Sequence, residues 1–242
     1  MLKKIRKKIK SSFFYELIKN YFGEYQKSYS ESFGEDLFVD YFFQQKKKGF
    51  YVDIGCNLPK SRSLTYLLYK RGWTGVKVDI SPRSIKLNKL IRSKDINLNI
   101  SVGKNESMID AYIFYDNCSM NTVDKKFKEY TKKSVNKEPT ILRLEQLRLN
   151  TILKNHEINK IDYLNIDVEG SELEVIEGID LMKYHPSLIT IENNNLLLED
   201  YLKDNVYKKL ISCDYIFVNK IGVTNFFLDK SLSKKIYELI EI

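Results

Sequence analysis

The feature that most constrains this chain is a five-residue apolar run, Phe50-Tyr51-Val52-Asp53-Ile54, which stops on Gly55. So short a run suits a strand buried on both faces, as parallel strands covered by helices are. Similar runs follow at Gly75–Asp79, at Ile96–Val102 with Ile96, Leu98 and Ile100 alternating, at Asp162–Ile166 and at Ser187–Ile191. Helical patterns fill the intervals, over Leu64–Arg71, from Ser81-Pro82 to Arg92, over Leu147–Lys154, from Glu172 to Ile176 and over Leu196–Lys203. Pro82 falls at a first helical position, where its missing N–H costs nothing. The alternation predicts βαβ units in an α/β fold, a mostly parallel sheet with helices on both faces. Ala111–Tyr115 and Thr140–Leu144 read as further strands around a polar, lysine-rich stretch, 117–138. Tyr215–Val218 and Asn225–Leu228, joined through Gly222, read as a closing antiparallel hairpin.

A chain of 242 residues fits one such domain over 25–242, preceded by a basic amphipathic helix over 1–24. Six of the 40 Lys and Arg residues fall in the first ten positions, which hold no acid. The other 34 nearly balance the 32 acids, so the net charge of +8 describes a tail and not a nucleic-acid-binding surface. Leu2, Ile5, Ile9, Phe13, Leu17 and Tyr21 recur at helical spacing within that tail. Its lysines are either a solvated face or, over residues 1–22, a peripheral contact with an anionic membrane surface. No apolar stretch behind it is long enough for a signal peptide or a membrane span. Cys56, Cys118 and Cys213 are odd in number and form no CxxC pair, against a disulfide framework or a cysteine zinc site. A cytoplasmic protein is expected, at most peripheral at the inner membrane face.

Ligands of an open α/β sheet bind outside the carboxyl ends of its strands. Four strand exits there carry candidate chemistry. Asp53-Ile54-Gly55-Cys56-Asn57 lacks G-x-G-x-x-G, which speaks against a dinucleotide pyrophosphate, while Gly55 lets backbone approach a ligand closely. Asp79 ends the second strand, where an acid can accept both hydroxyls of a ribose; its other reading is a turn aspartate before Ser81-Pro82. Asp167-Val168-Glu169-Gly170 places two acids at one exit, although Glu169 also suits a helix N-terminus. Glu192-Asn193-Asn194 follows Ile191 and offers oxygens to a substrate hydroxyl or a hard cation. His156 and His185 precede strands, so a histidine base is not expected.

The ordered set SESFGEDLF (30–38), GFYVDIGCNLPKSRSLTYLLYKRGWTGVKVDISPRSI (49–85), RSKDINLNISVG (92–103), CSMNTV (118–123), IDYLNIDVEGSELEVIEGID (161–180) and TNFFLD (224–229) resembles the FkbM family of methyltransferases. The resemblance implies a Rossmann-like class I methyltransferase fold and methyl transfer from S-adenosylmethionine to an oxygen. The acceptor it implies is a sugar hydroxyl, on a nucleotide-linked sugar or a surface-polysaccharide precursor, or else a specialised metabolite. On that reading Asp53, Gly55, Cys56, Asn57, Asp79, Ser101, Val102 and Asp167 hold the cofactor. Asp167, Glu169 and Glu192 are the catalytic candidates, Asn193 and Glu35 the substrate-binding ones. Asp167, Glu192 and Asn193 together form a candidate Mg²⁺ site. A non-catalytic binding module on the same fold is the rival reading, and oligomeric state stays open.

Overall fold

The computed structural model describes residues 27–30, 32–116, 118–193 and 197–234. The basic segment expected over 1–24 lies outside them. Among the described residues, ten strands form two sheets. The larger has the order β3-β2-β1-β7-β8-β10-β9, with β1 Phe50–Ile54, β2 Thr74–Val78, β3 Ile96–Leu98, β7 Tyr163–Ile166, β8 Leu188–Glu192, β9 Tyr215–Ile221 and β10 Thr224–Asp229. The five strands from β3 to β8 are parallel, and β10 runs antiparallel between β8 and β9. The expected closing hairpin is therefore present, with β10 beside β8 and β9 outside it.

Helices cover both faces, which explains the continuous apolar runs. Val52 and Ile54 of β1 share one buried cluster with Val76, Val78, Leu164 and Ile166. Tyr51, one residue out of phase, packs on the other face with Val39, Phe42, Phe43 and Trp73. Each fully buried Leu, Ile or Phe contributes about 1.5–3 kcal/mol of transfer free energy, so both faces hold the sheet. Helix α1, Glu35–Phe42, supplies Val39 and Phe42 to the second cluster, and its Phe38 meets Phe226 of β10 edge-on. Helix α2 spans Tyr66–Lys70, and α3 spans Pro82–Ile91 with Ser81 as N-cap, its Oγ accepting from the Ser84 N–H at 3.3 Å.

The single third strand expected over Ile96–Val102 is instead two strands. β3 ends at Leu98, and β4, Ser101–Val102, joins a second sheet of order β4-β6-β5, with β5 Ser107–Ile113 and β6 Thr140–Leu147. The break falls at Asn99, whose side-chain amide donates to the Asp79 carbonyl at 2.8 Å. Ile100 lies between the two strands and belongs to neither. Helix α4, Lys125–Val135, capped by Asp124, lies between β5 and β6. α5 Leu149–Asn155, α6 Glu172–Glu177, α7 Leu181–Tyr184, α8 Leu198–Tyr201 and α9 Asn205–Ser212 complete the domain. Among the described residues, no helix is long and apolar enough to cross a membrane.

Candidate active site

The exits of β1, β2, β4 and β7 open onto one cleft. Gly55 and Asn57 line it from β1, Asp79 and Ile80 from β2, Ser101 and Val102 from β4, and Asp167 and Ser171 from β7. The loop carrying Cys118, Ser119 and Asn121 forms its outer wall. Gly55 is central to this shape. Its φ is +79°, and a β-carbon there would lie 1.6 Å from the carbonyl oxygen of Asp167. Two backbones therefore touch where a side chain would separate them. The N–H groups of Gly55 and Cys56 donate to the Val78 carbonyl, and that of Asp167 to the Ile54 carbonyl. The three exits are thus tied together, with the N–H of Asn57 left to reach Asp79.

Asp79 sits at the end of β2 with each carboxylate oxygen already holding one backbone donor. Its Oδ1 accepts from Ser81 at 2.7 Å, and its Oδ2 from Asn57 at 2.8 Å. Both oxygens keep outward lone pairs for a ligand's hydroxyls. Burial pushes its carboxyl up to about 6, against the pull of those two N–H groups.

Two of the residues expected at the cofactor turn their side chains elsewhere. Asp53 is 2% exposed and lies on the β1 face opposite Val52 and Ile54. Its Oδ2 pairs with Lys77 Nζ at 3.0 Å and accepts from Thr65 Oγ1, and its Oδ1 accepts from Asn165 Nδ2 at 2.9 Å. Burial raises the Asp53 carboxyl, but Lys77 and the hydrogen bonds outweigh it and the net shift is downward. The row continues through Thr190 Oγ1, which donates to Asn165 Oδ1 and meets the Tyr163 hydroxyl. Asp53 is thus a correction: its carboxylate belongs to a buried row of polar groups across four strands, not to the cleft wall. Cys56 is 3% exposed, and burial holds its thiol well above the ordinary range, so only its backbone serves the loop.

Asp167, Glu169 and Glu192 converge, one carboxylate oxygen from each lying within 4.8 Å of the other two. Glu169 reaches the group because it and Gly170 adopt φ of +57° and +108°, a turn fixed by Thr122 Oγ1 donating to the Glu169 carbonyl at 2.8 Å. Burial, a hydrogen bond with Glu192 and the charges of Glu192, Glu169 and Glu172 hold the Asp167 carboxyl well above the carboxylate range. Burial, then Glu192 and Glu172, push Glu169 up to about 8. Crowded carboxylates cannot all ionise, so the cluster retains protons at neutral pH.

Glu35 is a correction as well, while Asn193 stands directly after β8 as expected. The Asn193 amide donates to Asp204 Oδ2 at 3.3 Å, and Glu169 joins Asp167 and Glu192 as the third clustered carboxylate. Glu35, 4% exposed, accepts from the Phe33 N–H at 3.2 Å at the start of its own helix, a usual station for an acid, and does not line the cleft. Sequence reasoning also missed Lys77 and Asn165. The signal was a polar residue inside each of two apolar runs, GVKVD and YLNI.

The cluster has a measurable cost. Glu169 binds a proton more tightly when folded (about 8 against 4.5), so stability falls as pH rises from 4.5 through 8. Glu169→Gln removes that dependence. It should raise the melting temperature at pH 9 by roughly 2–4 °C for each kcal/mol relieved, and change little at pH 4. Equal melting temperatures for the two proteins at pH 9 would contradict the raised carboxyl.

A seven-stranded, mainly parallel sheet with helices on both faces, one antiparallel strand before its edge and a ligand cleft at the parallel strands' exits defines the Rossmann-like methyltransferase class. A family model described as the methyltransferase FkbM domain matches residues 53–217, more than half of the chain. This protein belongs to the FkbM family of methyltransferases. No curated protein matches the sequence.

Proposed function

We propose that this methyltransferase uses S-adenosylmethionine and methylates a hydroxyl of a sugar, carried on a nucleotide or on a surface-polysaccharide precursor. The observation that carries this reading is that Asp167 belongs both to the cleft wall and to the carboxylate cluster. A donor in the cleft would then lie beside groups suited to taking a hydroxyl proton. When bound, the cofactor supplies an electrophilic sulfonium methyl group.

The residues of the chain would act as follows. Gly55 and Asn57 give the methionyl end a close backbone surface. Asp79 accepts the two ribose hydroxyls on its outward lone pairs. Ser101 and Val102 border the adenine, although Ser101 Oγ already donates to Gln146 Oε1 at 3.3 Å. Asp167, Glu169 and Glu192 face the acceptor, and one ionised member receives the hydroxyl proton as oxygen attacks carbon. Alignment of donor and acceptor supplies the rest of the rate enhancement. A second reading rests on the cluster's geometry. Three carboxylate oxygens so close together are hard donors that fit Mg²⁺, which would lower the acceptor's pKa.

Mass spectrometry of products from a panel of nucleotide-linked sugars, with and without a chelator, tests both readings. A +14 mass shift on a sugar supports the first, and its loss on chelation selects the second. Methylation of non-sugar alcohols alone would overturn the sugar assignment. Asp79→Ala should weaken calorimetric affinity for S-adenosylmethionine by about 10–100-fold, since hydrogen bonds to a charged group contribute about 1.5–3 kcal/mol each. In the wild-type protein the same affinity should fall as pH drops through about 6, where Asp79 gains a proton and loses acceptor capacity. Affinity unchanged in the variant would remove Asp79 from the ribose.

A further inference from the structure

Lys220 has no part in the site as described so far, yet its ammonium reaches the strand exit that carries Glu192. It stands on β9, opposite Asn225 of β10. Its Nζ lies 3.1 Å from Asn225 Oδ1 and 3.4 Å from the backbone carbonyl of Asn193, the residue after Glu192. The ring of Tyr201 lies beneath it, with the centroid at 5.3 Å. Asn225 is itself fully buried and fixed, its amide donating to the Ile191 and Val223 carbonyls. The Asn193 N–H donates to the same Val223 carbonyl. One cation thus joins β9, β10 and the end of β8.

We propose that Lys220 is a positioning residue: by holding the Asn193 carbonyl and Asn225 together, its ammonium keeps the β8 exit closed on β10 and the Glu192 carboxylate turned toward Asp167. The inference rests on the reading of the carboxylate cluster as the acceptor side of a methyltransferase. Glu192 is otherwise surrounded by acids, with Asp167 from the β7 exit, Glu169 and Glu172 from the following turn and helix, and Asp204 beyond Asn193. Repulsion among them would splay the exit open. An attractive charge on the far side of Asn193 opposes that. Burial lowers the Lys220 pKa while Glu192 acts to raise it, so the ammonium is kept at this place against a desolvation cost. Lysine also has the reach to span two strands while its ammonium stands over the Tyr201 ring.

The test compares the full-length wild type with Lys220→Met and Lys220→Arg by three readouts. Hydrogen exchange at the Asn193 amide reads the strand exit without any need for turnover. It should quicken about tenfold or more in Lys220→Met and stay near wild type in Lys220→Arg. Steady-state methylation should show kcat reduced by up to ~10²-fold in Lys220→Met, the scale expected for ångström-level misplacement of a reacting group, with substantial rescue by arginine. Calorimetric affinity for S-adenosylmethionine should stay within about twofold in both, because Lys220 is remote from Asp79 and Gly55. Unchanged exchange at Asn193, or faster exchange with normal kcat, would overturn the proposal, as would a parallel loss of cofactor affinity. If the wild type methylates no sugar offered, the sugar reading fails, while the exchange measurement still decides whether Lys220 holds the exit.

Discussion

Asp167→Asn should lower turnover by about 10²–10⁴-fold, the range that a positioned proton acceptor contributes. The side chain keeps its shape but can no longer exchange a proton at the point where cleft and carboxylate cluster meet. An amide can neither take the acceptor's proton nor offer two oxygens to a cation, so both readings of the cluster predict the same loss. The fold should not suffer. Burial and Glu192 already hold the Asp167 carboxyl well above its ordinary range, so the neutral amide replaces a group that the fold already favours neutral. Single-turnover methyl transfer with saturating cofactor, read beside thermal unfolding, separates the two effects. Near-normal turnover would remove Asp167 from either role.

Gly55→Ala should be the most damaging single substitution at the site, costing roughly 3 kcal/mol or more of stability and most of the cofactor affinity. Two terms add here. A φ of +79° disfavours any residue with a β-carbon, and that carbon would lie 1.6 Å from the Asp167 carbonyl oxygen, a backbone atom that cannot rotate away. Gly72→Ala isolates the first term. Gly72 has φ of +94° but nothing within 4 Å of its β-carbon position, so only the conformational penalty of about 1–2 kcal/mol remains. Denaturant unfolding of the pair measures the contact between β1 and β7 by difference. Equal losses in the two variants would show that the strands can part without cost.

The central strands were legible because burial on both faces leaves an unbroken apolar run, and Gly55, Asp79 and Asp167 were legible because strand exits are where such sheets bind ligands. Other features were not. Ile96, Leu98 and Ile100 alternate as one strand would, but β3 stops at Leu98, where the Asn99 side chain bonds to the Asp79 carbonyl, and pairing resumes at Ser101 in the second sheet. β5 starts at Ser107, ahead of the expected Ala111, and stops at Ile113, short of Tyr115, while β6 runs past Leu144 to Leu147. Much of the second sheet is exposed, and positions such as Asp110, Arg143 and Glu145 carry no hydrophobic signal. The site reading erred where a side chain's direction mattered. Asp53 precedes Gly55 by two residues, but the two-residue period of a strand turns it to the face of Lys77 and Asn165. Glu169 enters the cluster through a left-handed turn, which a sequence does not announce.

The polar row from Lys77 through Asp53 and Asn165 to Thr190 has a consequence for how the chain finds its pairing. Apolar strands buried on both faces slide past one another cheaply, since valine opposite valine is much the same after a two-residue shift. Asp53 stands opposite Lys77 on one side and Asn165 on the other, and Asn165 stands opposite Thr190. A two-residue shift of β1 against β2 would set Asp53 opposite Gly75 or Asp79 and leave the Lys77 ammonium alone in the core, an error of several kcal/mol. The row acts as a key cut across four strands, and the alignment it admits is the one that brings Gly55 level with Asp167.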